Sequence, residues 1–84
     1  MKRLLPKDDL IFRCRKFSGF VAEKIVQSPS GNRYRLFKMN YGNSSSIVVL
    51  TERGDYILED PDLGHFDAVD SLPWDSIESR QKEL

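Results

Sequence analysis

The chain has 84 residues and a mass of 9.7 kDa, 39% hydrophobic and 31% charged, which holds one domain and is too apolar for a disordered polypeptide. Folding at this size hides about 63% of the extended surface, enough for a core one side-chain layer thick and little for a deep, water-free catalytic cleft. A single cysteine, Cys14, excludes an intrachain disulfide framework, and a formal net charge of zero weakens long-range attraction to a polyanion.

At the N-terminus, Met1-Lys2-Arg3-Leu4-Leu5-Pro6-Lys7 has an apolar stretch of two residues, far short of a signal-peptide core. No uninterrupted apolar run is long enough to span a bilayer, so a cytoplasmic protein without membrane contact is expected. From Leu10 the residues alternate: Leu10, Phe12 and Cys14 fall on one side of an extended strand, Arg13 and Arg15 on the other. A helix is the competing reading for residues 8–17, with Leu10, Cys14, Phe17 and Val21 at helical spacing behind Asp8 and Asp9 as caps. The strand is preferred, because the helix would carry Gly19 in its interior at about 1 kcal/mol relative to Ala.

Phe20–Gln27 and Arg33–Met39 are β-prone runs joined by Ser28-Pro29-Ser30-Gly31-Asn32, a loop whose Pro, Gly and Asn suit a chain reversal, and together they predict a hairpin. Asn40–Ser46 lacks apolar periodicity and is expected to be an exposed, mobile loop. Ile47-Val48-Val49-Leu50-Thr51 reads as a central strand buried on both sides, and Glu52-Arg53-Gly54-Asp55 turns it into a second hairpin with Tyr56–Glu59. Pro61 ends the sheet, and Phe66–Val69 is a candidate short fifth strand.

The tail changes period. Trp74, Ile77, Gln81 and Leu84 share a helical face, Asp70 or Ser71 is placed to cap, Pro73 suits the first turn, and Glu78 and Lys82 form an i,i+4 pair. The predicted architecture is mainly β (α+β): four to five antiparallel strands, as a small open barrel or a curled sheet, with a short C-terminal helix whose Trp74 and Ile77 dock on the sheet.

Charge is divided along the chain. Residues 1–40 hold ten Lys/Arg and three acids, a net +7, and residues 41–84 hold ten acids and three Lys/Arg, a net −7. Arg13, Arg15, Lys16, Arg33, Arg35 and Lys38, interleaved with aromatics, define a candidate basic surface of the kind that contacts phosphates and stacks bases. Asp60, Asp62, Asp67 and Asp70 define a candidate acidic docking surface, and Tyr41 and Asn43 mark the expected mobile loop.

The residue types for catalysis are thin. His65 is the only histidine and sits among Gly and acids, and Cys14 lies on an apolar face with no electropositive neighbour to make a thiolate. Gly64 and Ser71 break the calcium-loop pattern around Asp60, Asp62 and Asp67, one His with one Cys cannot close a zinc site, and no cofactor is expected. The reading is therefore a non-enzymatic binding module, most directly a regulator, inhibitor or accessory subunit that binds a protein. Nucleic-acid binding through the basic strands is the alternative, and association between copies through opposite-charge faces is a further possibility.

Overall fold

A computed structural model describes residues 8–84, with side chains from residue 10 onward; the cationic Lys2, Arg3 and Lys7 and the cap roles of Asp8 and Asp9 lie outside what it describes. The element order is α1 (Asp8–Lys16), β1 (Phe20–Gln27), β2 (Arg33–Tyr41), β3 (Ser44–Thr51), β4 (Tyr56–Pro61), a 3-10 turn (Val69–Ser71) and α2 (Trp74–Lys82). The four strands form one antiparallel sheet in the order β1-β2-β3-β4, so β1 and β4 are open edges and the sheet does not close into a barrel. Among the described residues no helix is long and apolar enough to cross a membrane.

The preferred strand over residues 10–15 is corrected to a helix. Ile11 and Cys14, with Leu10 beside them, turn toward the sheet, and Arg13, Arg15 and Lys16 fill the last turn, where cations suit the helix dipole. The objection from Gly19 disappears because the helix stops before it, with Phe20 N–H donating to the Phe17 carbonyl at 3.0 Å. Gly19 lies at the corner into β1, and a Cβ there would overlap the Asn40 carbonyl oxygen. This close approach is closed by a 2.7 Å hydrogen bond from Asn40 N–H to the Gly19 carbonyl.

The first hairpin forms as expected, with Val26 opposite Tyr34 and Gln27 opposite Arg33. The expected loop at Asn40–Ser46 does not exist: β2 runs on to Tyr41, β3 starts at Ser44, and only Gly42 and Asn43 turn. Gly42 takes φ 69° while no non-glycine residue described has positive φ, which matches the II′ turn with Gly at its first central position. The polar serines still pair through their backbones, and Ser45 Oγ donates to Asn40 Oδ1 at 2.7 Å across the ladder.

Ile47, Val48, Val49 and Leu50 are all buried, as a central strand requires, and Thr51 turns into β4 through a hydrogen bond from Asp55 N–H to its Oγ1 at 2.9 Å. No strand forms at Phe66–Val69. The chain instead leaves the sheet edge at Asp62 and crosses one face, so its apolar residues meet side chains and its backbone makes turn bonds, such as Ala68 N–H to Gly64 carbonyl at 3.0 Å.

The two faces carry separate cores. On one, Tyr34, Leu36, Ile47 and Val49 pack against Phe66, Leu72 and Ile77, and Trp74 lies 5.7 Å from the Tyr34 ring. On the other, Phe37, Met39, Val48 and Leu50 pack against Ile11 and Cys14 of α1. The tail helix docks through Trp74 and Ile77 as expected, but three details differ. Pro73, not Asp70 or Ser71, precedes the helix, because those two residues belong to the 3-10 turn upstream. Leu84 lies past the helix and is exposed. Glu78 reaches across to the β1–β2 turn and accepts from Ser30 Oγ and Asn32 Nδ2, each at 2.8 Å, in place of a partner one turn along its own helix.

Candidate functional site

The six residues of the predicted basic surface do not form one free patch: Lys38 is turned to the opposite face from the other five, and Arg15 and Arg35 meet on a shared carboxylate. Alternation along β2 sends Arg35 to the α1 face and Lys38 to the α2 face, while Arg13, Arg15 and Lys16 ride on α1. Four of the six also sit against carboxylates. Arg15 donates to both oxygens of Glu23 at 2.7 Å, Arg35 Nη1 donates to the same carboxylate at 2.6 Å, Arg33 lies 3.3 Å from Glu52, and Lys38 lies 3.4 Å from Asp62. The two arginines around Glu23 hold its carboxyl below the usual range, Arg15 most strongly, against the opposing effect of burial.

The predicted acidic surface divides as well. Asp62 turns inward, its side chain only 4% exposed, and accepts from the amides of Gly64 and Phe66 at 3.0 and 3.4 Å besides pairing with Lys38. Burial would raise its pKa, but the two amides and the ammonium outweigh that and lower it. Lys24 and Lys38 lie 4.5 and 6.0 Å from the centre of the Phe66 ring, so cations of the early half and acids of the late half clamp this segment onto the sheet. Asp60 is half-buried beside Ile47, and only Asp67 and Asp70 stand fully outward. Two pairs, Arg33–Glu52 and Lys38–Asp62, thus join the cationic half of the chain to the anionic half, while Glu23 pairs with arginines of its own half.

What the fold does assemble is an aromatic trough on the α1 face. Leu10, Arg13 and Cys14 of α1, with Phe17 just past its end, form one wall; Met39 and Val48 form the floor; Tyr41, Tyr56 and Glu59 form the far wall, around a volume of about 240 Å³. Tyr56 is 52% exposed, Tyr41 43% and Phe17 39%. Phe17 and Tyr41 pack at 5.3 Å between centroids and close one end, and the Tyr41 hydroxyl donates to Glu59 at 2.9 Å. Burial and that carboxylate raise the Tyr41 pKa. Burial likewise raises the Cys14 thiol, followed by the charges of Glu23 and Glu59, so at neutral pH it is a protonated apolar lining group.

Tyr41 is therefore the one residue from the predicted loop that belongs to the site, held there by strand pairing; Asn43 lies beyond it in the turn. Sequence reasoning missed Tyr56, Glu59 and Phe17. The helical spacing of Leu10, Cys14 and Phe17 was the available signal, and adding Arg13 to it outlines the α1 wall. His65 remains in the turn after β4 and is half-buried, away from the trough.

The fold and this trough define a small mainly β (α+β) domain with one helix on each face of an open sheet and an amphipathic concavity beside the first helix. No family model, curated protein or solved structure matches the chain.

Proposed function

We propose that this chain is a non-enzymatic protein-interaction module, an accessory or regulatory subunit of the cytoplasm, that receives its partner in the trough between α1 and β4. The observation that carries this reading is the convergence of three half-exposed aromatics, Phe17, Tyr41 and Tyr56, on one concave site rimmed by Arg13 and Glu59. Aromatic anchors with a charged rim are the composition that concentrates binding energy at protein contacts, since large rigid rings lose little conformational entropy and bury much area. A buried, protonated Cys14 in the lining is at home in a reducing compartment. The nucleic-acid alternative loses support, because Arg15, Arg33, Arg35 and Lys38 already face carboxylates that a phosphate would have to displace.

The test is site-directed photo-crosslinking in native lysate. A benzophenone side chain replacing Tyr56 is expected to capture a discrete protein, and the same group replacing Leu63, which is 78% exposed outside the trough, is expected to capture none. Equal capture at both positions, or none at either, would overturn the proposal.

A further inference from the structure

The loop of residues 28–32 between β1 and β2 closes on itself. Ser28 N–H donates to the Asn32 carbonyl at 2.7 Å and Gly31 N–H to the Ser28 carbonyl at 2.9 Å, with Gly31 at φ 96°. Ser30 stands exposed at the tip, and among the described residues no backbone group bonds its own N–H or carbonyl. Its neighbour Ser28 is 5% exposed and turns its hydroxyl into the loop, where it accepts from Asn32 N–H at 3.2 Å. Of the two serines, Ser30 is the one within reach of an enzyme.

The same oxygen carries a mechanical link. Ser30 Oγ donates to one carboxylate oxygen of Glu78 and Asn32 Nδ2 to the other, each at 2.8 Å, so α2 is tied to a turn 48 and 46 residues earlier in the chain. The hydroxyls of Ser44, Ser45 and Thr51, by contrast, bond within their own hairpins. Ile77 and Trp74 supply the apolar part of the hold of α2 on the sheet. A change at Ser30 therefore acts on a tertiary contact, not only on a surface loop.

We propose that Ser30 is a phosphoacceptor, and that its phosphorylation by a protein kinase parts α2 from the β1–β2 turn. The Ser30 oxygen attacks the terminal phosphorus of a nucleoside triphosphate. The new Oγ–P bond forms as the bond from that phosphorus to its bridging oxygen breaks, the diphosphate leaves, and the hydroxyl proton passes to the base of the kinase. A group that donated to Glu78 becomes one that only accepts and carries up to about two negative charges. The hydrogen bond is lost and the carboxylate is repelled, two effects of the same sign. Arg33 and Arg35 do not neutralise the phosphate, because alternation along β2 sends them to the other side of the sheet, where Glu52 and Glu23 hold them. The turn keeps its own bonds and its place in the ladder, so α2 is the element that moves. This switch lies on the α2 face and does not depend on the trough.

The test has two arms. The protein is isolated from its own cells with phosphatases inhibited, and peptide mass mapping is expected to find a phosphoryl group on Ser30 and none on Ser28. The full chain is then made with phosphoserine encoded in place of Ser30, and amide hydrogen exchange in α2 is expected to quicken about tenfold or more. Slow exchange in β2 and β3 shows that the sheet remains folded, and phosphoserine in place of the exposed Ser44 should leave α2 unchanged. Glu78→Gln separates charge from bulk. In the phosphorylated chain it should slow α2 exchange again, because the carboxamide ends the repulsion and donates to the phosphate. Ser30 found unmodified in cells, α2 exchange unmoved by phosphoserine, or loosening that persists undiminished in Glu78→Gln would overturn the proposal.

Discussion

The two faces of the sheet are built from similar apolar strand residues and finished differently. The α2 face is sealed by a continuous run of chain, in which Phe66, Leu72 and Ile77 reach 8%, 5% and 0% exposure and Glu78, Trp74 and Asp62 add directed hydrogen bonds. The α1 face is closed by nine residues of helix, held by Ile11, Cys14 and one arginine pair, and leaves Tyr41 and Tyr56 half in water. On the proposed reading, stability and recognition fall on opposite sides. The α2 face is closed by apolar packing, with the Tyr34 hydroxyl buried in it without a hydrogen-bond partner, whereas exposed rings beside a charged rim release water on contact.

The largest expected effect probes the sealed side. Ile77→Ala removes a fully buried side chain on which α2 docks, and a loss of about 2–5 kcal/mol in urea unfolding is expected. A loss under about 1 kcal/mol would mean that α2 contributes little to the fold and would erase the contrast between the faces.

Gly19→Ala tests the corner that aims α1. The added methyl meets backbone, which cannot step aside as a flexible side chain would, so roughly 1–3 kcal/mol of destabilisation is expected. The accompanying sign is faster hydrogen exchange in α1 than in α2, because the shift displaces the helix that the corner positions.

Acid should separate the polar anchors from the apolar ones. The pKa values of Glu23, Asp62 and Glu78 are all lowered in the fold, by Arg15 and Arg35 at Glu23, by amides and Lys38 against the effect of burial at Asp62, and at Glu78 by Ser28 first, then Ser30, Asn32 and Tyr34. Their contribution is fully present above the ordinary carboxylate range of about 4 and is lost as pH falls through the lowered values. Unfolding free energy should therefore be level near neutrality with respect to these groups and decline in acid. Glu23→Gln should flatten part of that decline and cost about 1 kcal/mol at neutral pH, since the pair is partly solvated.

The smallest effect on stability should come from the trough. Tyr56→Ala removes a ring that is 52% exposed, and a change within about 0.5 kcal/mol is expected alongside loss of partner capture. A larger loss of stability would make the ring part of the core and leave the open face without a separate role.

Much of the sheet was legible in the residues. The β-branched run at 47–51 and the Pro/Gly loop at 28–32 specify a buried strand and a hairpin locally, because turn dihedrals and two-sided burial are properties of short segments. Trp74 and Ile77 were readable for the same reason, being the apolar side of a helix that must dock somewhere. Gly42-Asn43 was hidden by its serine neighbours, whose backbones pair although their side chains carry no apolar alternation.

What the residues alone determined is a small, mainly β domain with a terminal helix and a chain divided into cationic and anionic halves. Only the tertiary structure decided the nature of residues 8–16, since Leu10 and Cys14 satisfy strand and helix templates alike until a sheet face selects the helix, which buries Ile11 together with Cys14. It also decided what the charges do. Strand pairing and the returning tail bring Arg33 to Glu52 and Lys38 to Asp62, partners separated by many residues of chain, and so spend part of the charge division on internal attachment. The trough is of the same kind: its walls come from α1, β2 and β4, and no local rule places them side by side.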